Sequence, residues 1–144
     1  MNFDVSAYEL EETAIHTVQN AKGDDDLIGA DGVNPVTIEL YGSGSRQMVK
    51  ALHKAGQQLQ LRMQALLRGK VDKKAGEAAE AEMVEKLVAC TKAIHNFPIE
   101  PAALYGNPKL GYITKGVIKF LEDDANFSKP VSTASPSTSG NLPG

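Results

Sequence analysis

Apolar and polar residues alternate most regularly in the stretch Pro35-Val-Thr-Ile-Glu-Leu-Tyr41. Val36, Ile38 and Leu40 fall on one side and Thr37, Glu39 and Tyr41 on the other, the period of two that marks a strand with one buried face. A second strand is predicted over residues 13–19, where β-branched residues alternate roughly and Ile15 lies near one face. Residues 20–34 between them are rich in Gly, Asp and Asn, which favour turns. The two strands should therefore close as an antiparallel hairpin with a long loop. A lone hairpin is marginal in water, so its apolar face needs a helix or a partner chain to cover it.

From residue 45 onward the period changes. Ser45 suits an N-cap, because its hydroxyl can accept from an amide of the first turn. Val49, Leu52, Gly56, Leu59, Met63 and Leu66 then recur at spacings of three and four. This is one narrow apolar stripe, of the kind that lies against another helix. Gly69 fits the stop and Asp72 the next N-cap. The second helix is predicted to run to about Ile94, with Ala79, Met83, Leu87, Cys90 and Ile94 as its stripe. The short link over residues 69–71 makes the pair antiparallel. On this reading Leu59→Asp places a charge in the stripe and unfolds the helix pair.

A third helix follows Phe97. Pro98 and Pro101 end the second helix, and residues 102–105 make one turn closed by Gly106. Asn107 and Pro108 are a strong start signal, Asn at the cap and Pro at the first helical position. Tyr112, Ile113, Val117, Phe120 and Leu121 share one side of a helix that ends near Asp124 and Ala125. Gly111 and Gly116 weaken it by about 1 kcal/mol each relative to Ala. The fold class is thus α+β. A single domain over residues 12–127 holds an N-terminal β-hairpin, an antiparallel helical hairpin and a third, C-terminal helix packed across it. Residues 1–11 are expected to be flexible. Residues 128–144 are rich in Ser, Thr and Pro and cannot offset the cost of ordering their backbone, so a flexible tail is expected there.

Composition narrows the class. The chain has 144 residues, a net charge of -3 and 42% hydrophobic residues, consistent with one soluble domain and a modest core. Trp is absent and aromatics are few, so Leu, Ile, Val, Met and Ala must fill the core. No apolar run approaches the ~20 residues of a bilayer span. The first residues lack the basic start and apolar centre of a signal peptide. Cys90 is alone, which leaves no internal disulfide. A cytoplasmic location is the expectation.

Candidate chemistry is sparse. The strand, glycine turn and helix around Tyr41-Gly-Ser-Gly-Ser-Arg46 follow the order of phosphate-binding loops. Counted from Gly42, a Walker loop needs a second Gly followed by Lys, and a dinucleotide turn a third Gly, at a place that Gln47 holds in both cases, and no Lys follows it. No repeated βαβ plan supports the loop. The run Asp24-Asp-Asp26 fails as an EF-hand, because Ile28 and Pro35 occupy ligand positions. His16, His53, His95 and Cys90 are scattered and make no zinc-ligand spacing. On a helix His95 would lie off the face of Cys90, so no nucleophile–base pair is apparent. No catalytic, metal or cofactor residues are assigned.

Charge is more informative. No acidic residue occurs from Leu40 through Val71, while Arg46, Lys50, Lys54, Arg62, Arg68 and Lys70 make the first helix basic. The second helix carries Glu77, Glu80, Glu82 and Glu85. An antiparallel arrangement brings Arg62 and Arg68 toward Glu77 and Glu80, worth about 0–1 kcal/mol per exposed pair. Arg46, Lys50, His53 and Lys54 then form an open basic face toward an acidic protein. Nucleic acid is disfavoured by the acidic chain and by the lack of stacking aromatics on that helix.

The segment Ala103-Leu-Tyr105, Asn107-Pro-Lys-Leu-Gly-Tyr-Ile113, Val117, Phe120, Asp124 and Asn126-Phe127 resembles the C-terminal part of small tailed-phage proteins. The upstream order is similar too, with a strand into Leu40-Tyr-Gly42, a Ser cap and a charged helical hairpin. The chain resembles tail-assembly chaperones and other minor tail-morphogenesis proteins of phages and prophages over roughly residues 12–127. One departure is that Gly44 precedes Ser45 where the pattern has an acidic residue. The resemblance rests on packing residues and has no catalytic signature. It implies a non-enzymatic binding role: holding a long helical tape-measure protein soluble while tail-tube subunits assemble around it. It also implies that the tail is the joining point of a frameshifted longer form. The alternative is a structural virion component, for tail completion or head–tail joining. A small hydrolase using Cys90 ranks far behind. Partner-binding candidates are Arg46, Lys50 and Lys54, with Tyr105, Tyr112, Phe120 and Phe127 from the region that carries the resemblance. The partner is a protein, with no cofactor, nucleic acid or membrane, and self-association is open. Trimming the chain after Phe127 is expected to leave the melting temperature almost unchanged, and a large drop in a thermal melt would contradict a non-packing tail.

Overall fold

The computed structural model describes residues 3–69 and 75–129. The alternating stretch forms β2 (Thr37–Tyr41), with Val36, Ile38 and Leu40 at most 1% exposed. β1 (Thr13–Thr17) pairs with it antiparallel, placing Ala14 opposite Leu40 and His16 opposite Ile38. Both expected strands are therefore present. A third was not expected. β3 (Thr91–His95) pairs antiparallel with the other edge of β2, giving the order β1-β2-β3.

β3 corrects the length of the second helix. α2 spans Ala75–Ala89 and stops before Cys90. The Thr91 hydroxyl donates back to the Leu87 carbonyl at 2.8 Å, and the chain then extends. Cys90 and Ile94 sit four apart, so helical spacing alone carried the helix through them. The deciding factor is long-range. Without β3, the amides and carbonyls on one edge of a buried strand would go unpaired, which is costly.

The long loop before β2 is stitched rather than loose. Val18 N–H donates to Val36 O at 2.9 Å, Leu27 N–H to Val18 O at 2.8 Å and Val36 N–H to Leu27 O at 2.8 Å. Asn96 ends β3 in the left-handed region at φ 64°. Its carbonyl accepts from Ala30 N–H at 2.8 Å, and its side-chain amide donates to Asp31 and to Asn34 O. Amides of Val33 and Asn34 also donate to the Asp31 carboxylate, and these bonds hold that carboxyl well below its ordinary range. The strand end and the loop are thereby locked together.

α2, α3 (Pro101–Tyr105) and α4 (Gly111–Glu122) cover one face of the sheet. Leu87, Leu104, Tyr105, Ile113 and Val117 meet Val18, Val36, Ile38 and Leu40 in one cluster. A 3-10 turn, Asp124–Phe127, folds Phe127 into the same cluster, fully buried. Its ring lies 2.5 Å from where a Cβ on Gly42 would sit, so only glycine fits there without a shift. Asn107 caps a 3-10 turn, Pro108–Leu110, that leads into α4, as the Asn-Pro signal anticipated. Before β1, Val5–Tyr8 form a 3-10 turn capped by Asp4, inside the segment expected to be loose. Leu10 packs against the core and Glu11 N–H donates to Phe127 O at 2.7 Å.

α1 (Arg46–Leu67) begins and ends where expected. Ser45 Oγ accepts from Met48 N–H at 3.1 Å and donates to the Gly42 carbonyl at 2.6 Å. Gly69 adopts φ +76°, suited to a helix stop. The cap expected of Asp72, the link through Val71 and the tail beyond Lys129 lie outside the described residues. The face that α1 turns inward differs from the expected one. Met48 and Ala51 are buried and Ala55, Gln58 and Arg62 half-buried, whereas the stripe from Val49 to Leu66 points outward. Ala79 and Met83 of α2 are exposed as well, so the two expected stripes do not meet. The physical reason is that α2 spends its large apolar residues, Val84, Leu87 and Val88, on the sheet core. It has only small and charged residues left for α1.

Stability should follow this division. Ile38→Ala is expected to cost about 2–5 kcal/mol in chemical denaturation, because it empties volume in the centre of the core. Leu59→Asp, the change that a buried stripe would make disruptive, is instead expected to stay within about 0.5 kcal/mol of the parent. A cooperative loss of helix in the Leu59 variant would contradict the outward stripe.

Candidate protein-interaction surface

α1 is a 22-residue helix, about 33 Å long at ~1.5 Å per residue. Its inward side is made of small or polar groups. Met48 and Ala51 pack on Cys90 and Leu121, and Cys90 Sγ lies 3.5 Å from Met48 Sδ. Further along, Ala51, Ala55 and Gln58 face Glu82, Lys86 and Ala89 across a shallow gap. Two ion pairs span it, Lys54 with Glu85 at 2.8 Å and Arg62 with Glu82. The acidic partners are therefore Glu82 and Glu85, not Glu77 and Glu80. Both pairs are at least partly solvated, so each contributes little. Lys54 holds the Glu85 carboxyl below its ordinary range.

The outward side carries the larger apolar residues. Val49 is 58% exposed, Leu52 49%, Leu59 51%, Met63 56% and Leu66 64%. Gly56 continues the same row, with open space where a Cβ would stand. Leu61 and Leu67 add further exposed apolar surface. A continuous exposed apolar row of this length is unusual on a protein that functions alone.

Arg46, Lys50, His53 and Lys54 are all exposed on α1, which places the basic candidates on one element beside the stripe. Lys54 is engaged by Glu85. Among the described residues no acid lies within ion-pair distance of Arg46 or Lys50. The aromatic candidates do not join them. Tyr105 is 5% exposed and its hydroxyl lies 2.6 Å from Thr91 Oγ1; burial raises its pKa. Phe127 is fully buried. The expectation that these two reach a partner is corrected by their place in the core. In a chain short of aromatics, such rings bury the most apolar area per residue, and the sheet claims them first. Tyr112 and Phe120 are half-buried, and Phe120 packs on His16 and Phe127 with ring centroids 4.9 Å and 5.5 Å apart. The four aromatics and the basic face do not form one site.

The remaining motifs take structural places. Ser43 Oγ donates to Asp124 at 2.7 Å, Gly42 seats Phe127 and Ser45 caps α1, so the glycine turn joins β2 to α1 and fixes the C-terminal turn. Asp24 and Asp26 accept from Asn20 and Gln19 within the loop. Among the described residues no three His, Cys, Asp or Glu side chains gather as metal ligands. Burial raises the Cys90 thiol pKa. None of the described helices is long and apolar enough to cross a membrane. No protein-family model, curated protein or solved structure matches the chain.

Reading the sequence found every residue of the stripe but assigned it to the interior. The signal against that assignment is the second helix. Ala78, Ala79 and Ala81 offer too little surface to seal a row of Leu, Val and Met.

A pH effect follows from the same packing. Burial against Phe120 disfavours the His16 imidazolium and lowers its pKa from 6.5. Below that value the unfolded chain takes up a proton that the native state resists, so stability falls as pH drops below about 6.5. His16→Gln should flatten that part of the denaturation midpoint against pH; an unchanged slope would show that His16 is not the cause.

Proposed function

We propose that this chain is a non-enzymatic protein-interaction factor of phage or prophage tail assembly. It acts in the cytoplasm of the host cell and holds a long helical partner of tape-measure type. The observation that carries the interaction role is the outward apolar row of α1. A folded domain that leaves seven large apolar residues of one helix in water, five of them in one row, gains from a partner that covers them. The assignment to tail assembly draws on the pattern from Ala103 to Phe127 and on the upstream order of strand, Ser cap and charged helices. Ile113, Val117 and Phe127 of that pattern are core residues, in keeping with a likeness based on packing.

Co-expression with a phage tape-measure protein tests the reading. The two are expected to co-purify, and the chain is expected to be missing from purified particles. Its presence in particles in stoichiometric amount would overturn the chaperone reading in favour of a structural tail-completion or head–tail joining component.

A further inference from the structure

We propose that the outward row of α1 docks an amphipathic α-helix of a partner protein, and that this helix borders its own apolar stripe with Asp and Glu. The inference rests on the reading of the chain as an interaction factor and specifies the surface and the chemistry of what it holds.

The spacing argues for a helix as occupant. Val49, Gly56 and Met63 occupy one position of a seven-residue repeat, and Leu52, Leu59 and Leu66 the other. That repeat is the seam by which one helix receives another, knobs into holes. The seam is narrow and open. Gly56 at its centre has nothing within 4 Å of its would-be Cβ, leaving a slot for a large side chain of the incoming helix.

Charge argues for which helix. Every ionised side chain on α1 is a cation. Those toward α2, Lys54 and Arg62, already meet Glu85 and Glu82. The border of the seam on the side away from α2 runs Arg46, Lys50 and His53 in the N-terminal half and Gln57, Gln60 and Gln64 in the C-terminal half. No described acid lies within ion-pair distance of Arg46 or Lys50, and the helix N-terminus adds its own positive potential there. Carboxylates bordering the incoming helix would meet that end. The glutamines tolerate either charge.

A second copy of the chain fits less well. Laid antiparallel, α1 against α1 brings Arg46 and Lys50 toward Arg68 of the other copy; laid parallel, it brings like ends together. Either way only cations are added. An anionic membrane also fits less well, since interfacial helices carry a Lys/Arg-rich polar face along their length, whereas the C-terminal half of the α1 border is glutamine and the helix has no Trp, Tyr or Phe.

The test uses the full chain and two labelled synthetic peptides of about three heptads, both with leucine seams. One is bordered by Glu, the other by Lys. Fluorescence anisotropy is expected to show the Glu peptide binding at least ~10-fold more tightly, with the advantage shrinking as salt rises. Leu59→Gln with Met63→Gln should weaken that binding at least ~10-fold while the circular-dichroism melt stays unchanged, since both residues are about half exposed. Arg46→Glu with Lys50→Glu should reverse the preference between peptides. Equal binding of both peptides, no binding of either, or indifference to the Leu59 and Met63 changes would overturn the proposal. So would a dimer of the chain alone, by light scattering, that Leu59→Gln abolishes, or tighter binding to phosphatidylserine vesicles than to the Glu peptide. If both peptides fail but the tape-measure protein still co-purifies, the surface is wrong and the function stands. If the Glu peptide binds but no tail partner does, the surface stands and the function is wrong.

Discussion

The structure depends on burying one face of one strand. Val36, Ile38 and Leu40 cannot be exposed without losing most of the core, and the residues that cover them come from α2, α3, α4 and the last turn. Leu87 comes from α2, Leu104 and Tyr105 from α3, Ile113 and Val117 from α4, and Phe127 from the last turn. The strand is also central, so its backbone must be satisfied on both edges. β1 and β3 do this, and the left-handed Asn96 then ties the end of β3 to the loop before β2. The large apolar residues of β2, α3 and α4 thus gather into one contiguous cluster, while those of α1 stay largely outside it.

That demand determines what is left for α1. α2 lies between the core and α1, and it faces the core with Val84, Leu87 and Val88. What remains toward α1 is alanine and glutamate. α1 answers with Met48, alanine, glutamine, lysine and arginine, and its Leu residues, Val49 and Met63 are turned to water. The helix is held by a good cap at Ser45, a small buried contact around Met48, Ala51 and Cys90, and partly solvated ion pairs. Function, on this account, lies in the surface that the core could not absorb.

Much of this was legible in the sequence. β2 was visible because its alternation is strict, and α1 because Ser45 and Gly69 punctuate it clearly. The Asn107–Pro108 start was visible for the same reason. β3 was hidden because Cys90 and Ile94 satisfy helical spacing, and what decides between helix and strand there is a hydrogen-bonding partner more than fifty residues earlier in the chain. Orientation was the harder matter. Periodicity reveals that α1 has an apolar stripe, but whether that stripe faces in or out depends on what α2 can present. The basic candidates Arg46, Lys50 and Lys54 were readable as an exposed face, since nothing nearby in sequence neutralises them. Tyr105 and Phe127 were misplaced, because a pattern of aromatic residues does not distinguish a core from a docking site.

The central claim is that the stripe of α1 belongs to the surface of the isolated chain. Solvent paramagnetic relaxation of the leucine methyl signals, with a soluble gadolinium chelate, reads this directly. Leu52, Leu59 and Leu66 are expected to be strongly broadened, and Leu40, Leu87 and Leu104 protected. Protection of Leu59 and Leu66 to the level of Leu104 in the monomeric chain would contradict the account.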